Sequence, residues 1–158
     1  MQTADTSIPT LITETKRYAQ TDMLCYRSPE DGLAAEQRRL WDPVVSWAQE
    51  RYGVRLALTE GVMPVAQPEE TLAALETAVD DLGQDETVVR NWAKLTKLLG
   101  SVVLAFAVKE QAISADEAIE AAFLEEVFQA QKWGEDEEAA EKRTAKMAEC
   151  REMIAEVV

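Results

Sequence analysis

The chain has 158 residues, 47% of them hydrophobic and 29% charged, with 30 acids against 16 bases and a formal net charge of −14. That length suits one ordinary domain with a real core, and the scarcity of glycine and proline marks a globular, helix-rich chain rather than a disordered or fibrous one. The negative charge repels phosphate backbones and anionic lipid headgroups, which argues against nucleic-acid or membrane-surface binding. The absence of histidine removes the commonest general base and metal ligand near neutral pH.

The first residues, M-Q-T-A-D-T-S-I-P, have neither a basic stretch ahead of an apolar core nor the arginines of a transit peptide, so no export or import signal is visible. Ser7 and Pro9 open a first helix with Ile8, Leu11, Ile12, Tyr18 and Ala19, ending near Gln20. The run T-D-M-L-C-Y-R, residues 21–27, is too short for periodicity to separate strand from helix. A break at Ser28, Pro29, Asp31 and Gly32 precedes a second helical pattern with Leu40, Trp41, Val44, Trp47, Ala48 and Tyr52. Asp42-Pro43 is expected to kink that helix or restart it with Asp42 as cap, and Gly53 to end it. Residues 54–59 alternate like a half-buried strand, and Gly61 suggests a hairpin turning toward Val62 and Met63. Pro68 opens a helix carrying Leu72, Leu75, Val79 and Leu82, stopped by Gly83.

Asp85 caps the next helix, which leads through Val88, Trp92 and Leu95 into L-L-G-S-V-V-L-A-F-A-V, residues 98–108. Eleven residues apolar on nearly every side are too few to span a bilayer, which needs ~20, and suit a central helix buried on all faces. Gly100 and Ser101 are expected to let a neighbouring helix approach closely. Ser114 and Glu117 form a capping box opening one helix to Gly134, with Ile119, Phe123, Val127 and Ala130 on one face and Glu120, Glu125, Glu126, Gln129 and Lys132 beside it. A last helix follows Glu135–Glu138, with a thin stripe of Met147, Cys150, Ile154 and Val157. The expected fold is mainly α: about six helices bundled around a buried central one, with a small inserted β-hairpin, as one domain over residues 1–158.

Catalytic equipment is hard to find in this pattern. Cys25 has Arg27 close by, but without a histidine base a buried structural thiol is the better reading, and Cys25 with Cys150 matches no zinc or redox spacing, so a reducing compartment is the default. Acids adjacent in sequence, such as Glu125 and Glu126, do not face each other on a helix and read as a solvated surface rather than an acid/base pair or metal site. Trp133, beside the helix-ending Gly134, is the tryptophan best placed to anchor a partner.

Several stretches together resemble one known family. They are T-D-M-L-C-Y-R (21–27), Gln37 followed by W-D-P-x-x-x-W-A (41–48), G-V-R-L (53–56), G-S-V-V-L-A (100–105) and L-E-E-V-F-Q-A-Q-K-W-G-E-D-E-E-A (124–139). In this order they resemble the assembly chaperone of the ATP synthase catalytic head, shared by mitochondria and alphaproteobacteria. The resemblance implies a non-enzymatic monomer without cofactor that binds the unassembled alpha subunit, prevents its aggregation and hides its assembly surface until the beta subunit arrives. It places the protein in the bacterial cytoplasm, or in the mitochondrial matrix if eukaryotic. Function in that family is associated with the acidic position matching Glu125, so Glu125 is the expected client contact, with Glu126, Gln129 and Trp133 as neighbours. Family members carry a β-rich N-terminal domain ahead of this region, and the sequence begins where their helical domain begins. The alternative is a generic acidic helical interaction module or regulator.

Overall fold

In the computed structural model, which describes residues 7–158, the expected caps at Ser7, Asp85 and Ser114 hold their helices. Ser7 caps α1 (Ile8–Arg17), accepting from the Thr10 N–H, with Pro9 in the first turn. The ambiguous run after it becomes a 3-10 turn at Met23–Cys25 followed by β1 (Tyr26–Arg27). α2 then runs unbroken from Asp31 to Tyr52. Pro43 sits inside α2 without ending it, because the carbonyl it leaves unpaired belongs to Arg39, an exposed residue. Asp42 caps nothing and instead pairs with Arg27 at 2.6 Å. Gly53 ends α2 at φ 63°, the left-handed conformation that favours glycine.

The expected hairpin is corrected. β2 is only Thr59–Glu60, and it pairs with β1 in parallel, Tyr26 opposite Thr59 and Arg27 opposite Glu60. A parallel partner needs a long crossover, and the 22-residue α2 supplies it. Residues 54–58 join no ladder. Side chains hold them instead: Gln49 Oε1 accepts from the Leu56 N–H at 3.1 Å, and Thr71 Oγ1 donates to the Arg55 carbonyl at 2.6 Å.

α3 (Glu69–Asp80) follows Pro68, and α4 (Glu86–Leu99) is capped by Asp85. Gly100, at φ 72°, turns the chain through 117° into α5 (Val102–Lys109). Gly100 is thus a corner and not a close-approach site, since a Cβ there would meet Met23 at an ordinary 3.7 Å. The central helix is shorter than the expected 98–108, since Leu98 and Leu99 end α4, but every residue from Val102 to Val108 is buried, with α2 and α4 packed on it. α6 (Ala115–Ala122), which carries the expected capping box, and α8 (Glu137–Val157), capped by Asp136, close the remaining sides. Trp47, Tyr52, Phe106 and Trp92 stack edge to face or tilted from the end of α2 across α5 to α4, with centroids 4.7–6.0 Å apart.

The expected single helix from Ser114 to Gly134 is also corrected. It breaks at Phe123 (φ −101°, ψ 9°), where α6 gives way to α7 (Leu124–Trp133). The break buries Phe123 and Leu124 and presses Phe128 against α2, where a Cβ on Gly32 would lie 3.3 Å from the ring. With this break, with α4 and α5 separated at Gly100, and with α2 whole, the described residues form eight α-helices where about six were expected.

Asp22, wholly buried, locks the corner between α4 and α5. Its Oδ1 accepts from Ser101 Oγ at 2.7 Å and from the Leu24 N–H at 3.1 Å, and its Oδ2 accepts from the Val103 N–H at 3.1 Å. Burial raises its pKa to about 6, against the pull of these donors. A carboxyl whose folded pKa lies above its unfolded value, ~3.9, stabilises the fold most when protonated. Its contribution is full below about pH 4, falls as the pH rises toward 6, and is flat above. The stability of the wild type relative to Asp22→Asn should therefore drop by roughly 3 kcal/mol between pH 4 and pH 7, read from denaturant unfolding; a gap that stays constant would show that this carboxyl does not titrate in that window.

Candidate partner-binding face

The residues singled out from the sequence lie on α7. Glu125, Gln129 and Trp133 follow one another at four-residue spacing, which on a helix is a single row, and all three are exposed. Glu126 is also exposed but lies about 100° around the helix from that row, where its charge acts on Arg143 of α8. The inner side of α7 does the opposite work. Leu124, Val127 and Phe128 face α2, α6 and α8 across a cleft of about 410 Å³ that Ile119 and Met147 also line.

Glu125 is exposed yet oriented. It stands in the first turn of α7, where the helix dipole favours a negative charge. Gln37 Nε2 donates to its Oε1 at 3.1 Å, while Gln37 Oε1 accepts from the Ser28 N–H at 2.8 Å. Gln37 is fully buried in α2, so a rigid element holds the carboxylate toward solvent. No cation of the described residues pairs with Glu125, and its charge stays available to a partner.

Trp133 is 74% exposed, and its ring lies 5.2 Å from the Lys132 ammonium, which itself pairs with Glu30. Gly134, at φ 77°, ends the helix directly behind it. Glu135 and Arg143 form a two-pronged pair at 2.5 and 2.6 Å that holds the start of α8 against α7's end. This pairing holds the Glu135 carboxyl below its usual range. The other tryptophans serve the core: Trp41 and Trp92 are buried, Trp47 packs against it, and Trp41 Nε1 donates to the Ala121 carbonyl at 2.9 Å, joining α2 to the end of α6.

The thiols are placed for structure. Cys25 is inaccessible to solvent, and burial first, then the neighbouring Asp22, pushes its pKa up to about 12 while Arg27 pulls weakly the other way. Cys150 is likewise free and buried, with its pKa raised to about 11. A thiol held protonated is a poor nucleophile. Among the described residues, no three His, Cys, Asp or Glu side chains are grouped to hold a metal ion, and no single helix is long and apolar enough to cross a membrane.

Sequence reasoning found the row on α7 but not its support. Gln37 appeared only within a resembling stretch, and nothing local links it to a residue 88 positions away.

The roles of charge and hydrogen bond at Glu125 are separable. Glu125→Gln keeps an oxygen for Gln37 to donate to and should leave unfolding stability within ~0.5 kcal/mol. Gln37→Leu strips the half-buried Ser28 N–H of its partner and should cost about 1 kcal/mol or more. Equal losses in urea unfolding would make Glu125 itself a structural residue.

The model of the ATP12 chaperone protein family matches residues 1–49. Among solved structures, the chain is similar to the Atu1473 protein of Agrobacterium tumefaciens, a candidate chaperone, at 34% identity and a TM-score of 0.84, over 94% of this chain and 55% of that one. It is similar to Atp12 of Paracoccus denitrificans at 32% identity and a TM-score of 0.85, over 92% of this chain and 62% of that one. An aspartate-to-lysine variant of that organism's Atp12p matches at 32% identity and 0.85, over 93% and 62%. The chain thus spans 55–62% of the length of the solved relatives it matches. With helices in the same arrangement as these proteins and a family match across α1 and most of α2, the chain is similar to the ATP12 chaperone family in fold and in its first 49 residues.

Proposed function

We propose that this protein is an ATP synthase assembly chaperone that binds the unassembled alpha subunit and keeps it from aggregating until the catalytic hexamer forms. Similarity to the ATP12 chaperone family supports the general role, and the observation that carries the contact assignment is the exposed row on α7. Glu125 offers a carboxylate that no cation among the described residues pairs with and that Gln37 pre-orients, Gln129 offers an adaptable amide, and Trp133 offers a large, mostly exposed ring at the helix end. Such a surface suits a client segment presenting a basic group beside an apolar one. Glu126 adds negative charge alongside. In this reading the protein acts as a monomer, without cofactor or catalysis, in the compartment where the catalytic head is assembled.

Two features favour a holding role over chemistry. The cysteines are buried and held protonated, and the acidic surface, at a net charge of −14, attracts basic protein surfaces while repelling nucleic acid and anionic lipid.

Co-expression of the tagged protein with the alpha and beta subunits of its own ATP synthase, followed by pull-down and a solubility assay, tests the reading. Recovery of alpha without beta, with less alpha in the insoluble fraction, is the expected result; recovery of neither would overturn it. Glu125→Lys reverses the charge of an exposed residue, so it should lower alpha recovery by roughly tenfold or more with an unchanged circular dichroism spectrum. Loss of helical content in that variant would remove Glu125 from the contact.

A further inference from the structure

The loop between β2 and α3 displays apolar side chains on a base that is firmly tied. Gly61 N–H donates to the Arg27 carbonyl at 2.9 Å. Gln67, itself buried, accepts from the Ala57 N–H at 2.8 Å and donates back to the Ala57 carbonyl at 2.9 Å, which closes the loop as a pair of strands would. At the tip, Val62 is 95% exposed and Met63 71%. Leu58, in the segment that leads into the loop, is exposed as well. Strand alternation would turn it inward with Leu56, but the ladder is two residues long and Leu58 is exposed. Single apolar residues on a surface need no explanation, whereas a cluster held out on a pinned loop marks an interaction site.

The surroundings point to the partner's chemistry. Glu60 precedes the tip, and Glu69 and Glu70 open α3 behind it, all exposed. An apolar tip flanked by acids suits an apolar, positively charged protein segment, and the same acids repel anionic lipid and nucleic acid. The base of the loop is linked to the α7 face through segment 27–30. Gly61 is bonded to Arg27, Ser28 is bonded to the Gln37 that holds Glu125, and Glu30 pairs with the Lys132 beside Trp133. Segment 27–30 therefore has the loop on one border and the Glu125–Trp133 row on the other.

We propose that Val62 and Met63 form a second anchor that holds an apolar, positively charged segment of the client polypeptide, on the face that includes Glu125 and Trp133. The identity of the client rests on the chaperone reading; the chemistry of the segment does not.

The test uses the whole chain with Val62→Ser and Met63→Ser combined, neutral changes at exposed positions that leave the charge constant. Fluorescence anisotropy with two labelled amphipathic peptides, one of leucine and lysine and one of leucine and glutamate, reads the anchor as the difference between wild type and this variant. Wild type should bind the lysine peptide and not the glutamate one, and the double variant should lose roughly tenfold or more in affinity with an unchanged thermal melt. Unchanged binding by the variant, or failure of wild type to prefer the lysine peptide, overturns the anchor. In the co-expression assay, loss of alpha recovery by the double variant places the anchor on that client. Peptide binding that depends on Val62 and Met63, with no alpha recovered by wild type, supports the anchor and overturns the chaperone reading.

Discussion

A buried carboxylate decides where the central helix begins. Asp22 receives the hydroxyl of Ser101 and the N–H groups of Val103 and Leu24, while Ser101 Oγ in turn accepts from the Leu104 N–H. The N-terminal amides of α5, buried among apolar side chains, would otherwise lack water to bond to, and leaving such donors unpaired is expensive. The same contact ties the turn after α1 to the corner at Gly100, so the start of the chain and its middle are positioned by one set of hydrogen bonds. The other helices are arranged around α5, whose core residues are closed to solvent.

The candidate face is built outward from that core through α2. One buried glutamine on α2 reaches Ser28 on one side and Glu125 on the other, and a buried tryptophan one turn later reaches the end of α6. Arg27 lies 5.5 Å from the same tryptophan ring and pairs with Asp42, also on α2. The short β1 and the start of α7 are thus fixed to a single long helix, and an exposed carboxylate inherits the rigidity of the interior. That matters for binding, since a pre-oriented group loses less freedom when a partner arrives.

α7 is short and two-faced for the same reason. Its Leu124, Val127 and Phe128 are held by α2, α6 and α8, which leaves Glu125, Gln129 and Trp133 outside. The ion pairs around it, Lys132 with Glu30 and Arg143 with Glu135, hold its end in place without involving Glu125. Surface pairs of this kind add little stability, but they set which charges are already satisfied. On this surface Glu125 is not among them.

Much of this protein was legible in its amino-acid order because helix caps and core stripes are local. Ser7, Asp85 and Ser114 cap the helices that follow them, and the apolar run 102–108 is buried because no face of it is polar. The α7 row could be read from spacing together with the family resemblance. The rest depended on contacts between distant residues. Nothing near Phe123 signals a break, since the sequence there has neither glycine nor proline and the interruption is set by burying Phe123 and seating Phe128 on α2. The parallel pairing of β1 with β2 depends on where a 22-residue crossover returns the chain, which a two-residue strand cannot encode. The burial of Asp22, the reach of Gln37 to Glu125 and the exposure of Val62 and Met63 were likewise decided only in the tertiary structure, because burial and hydrogen-bond partnership belong to the assembled fold and not to any window of sequence.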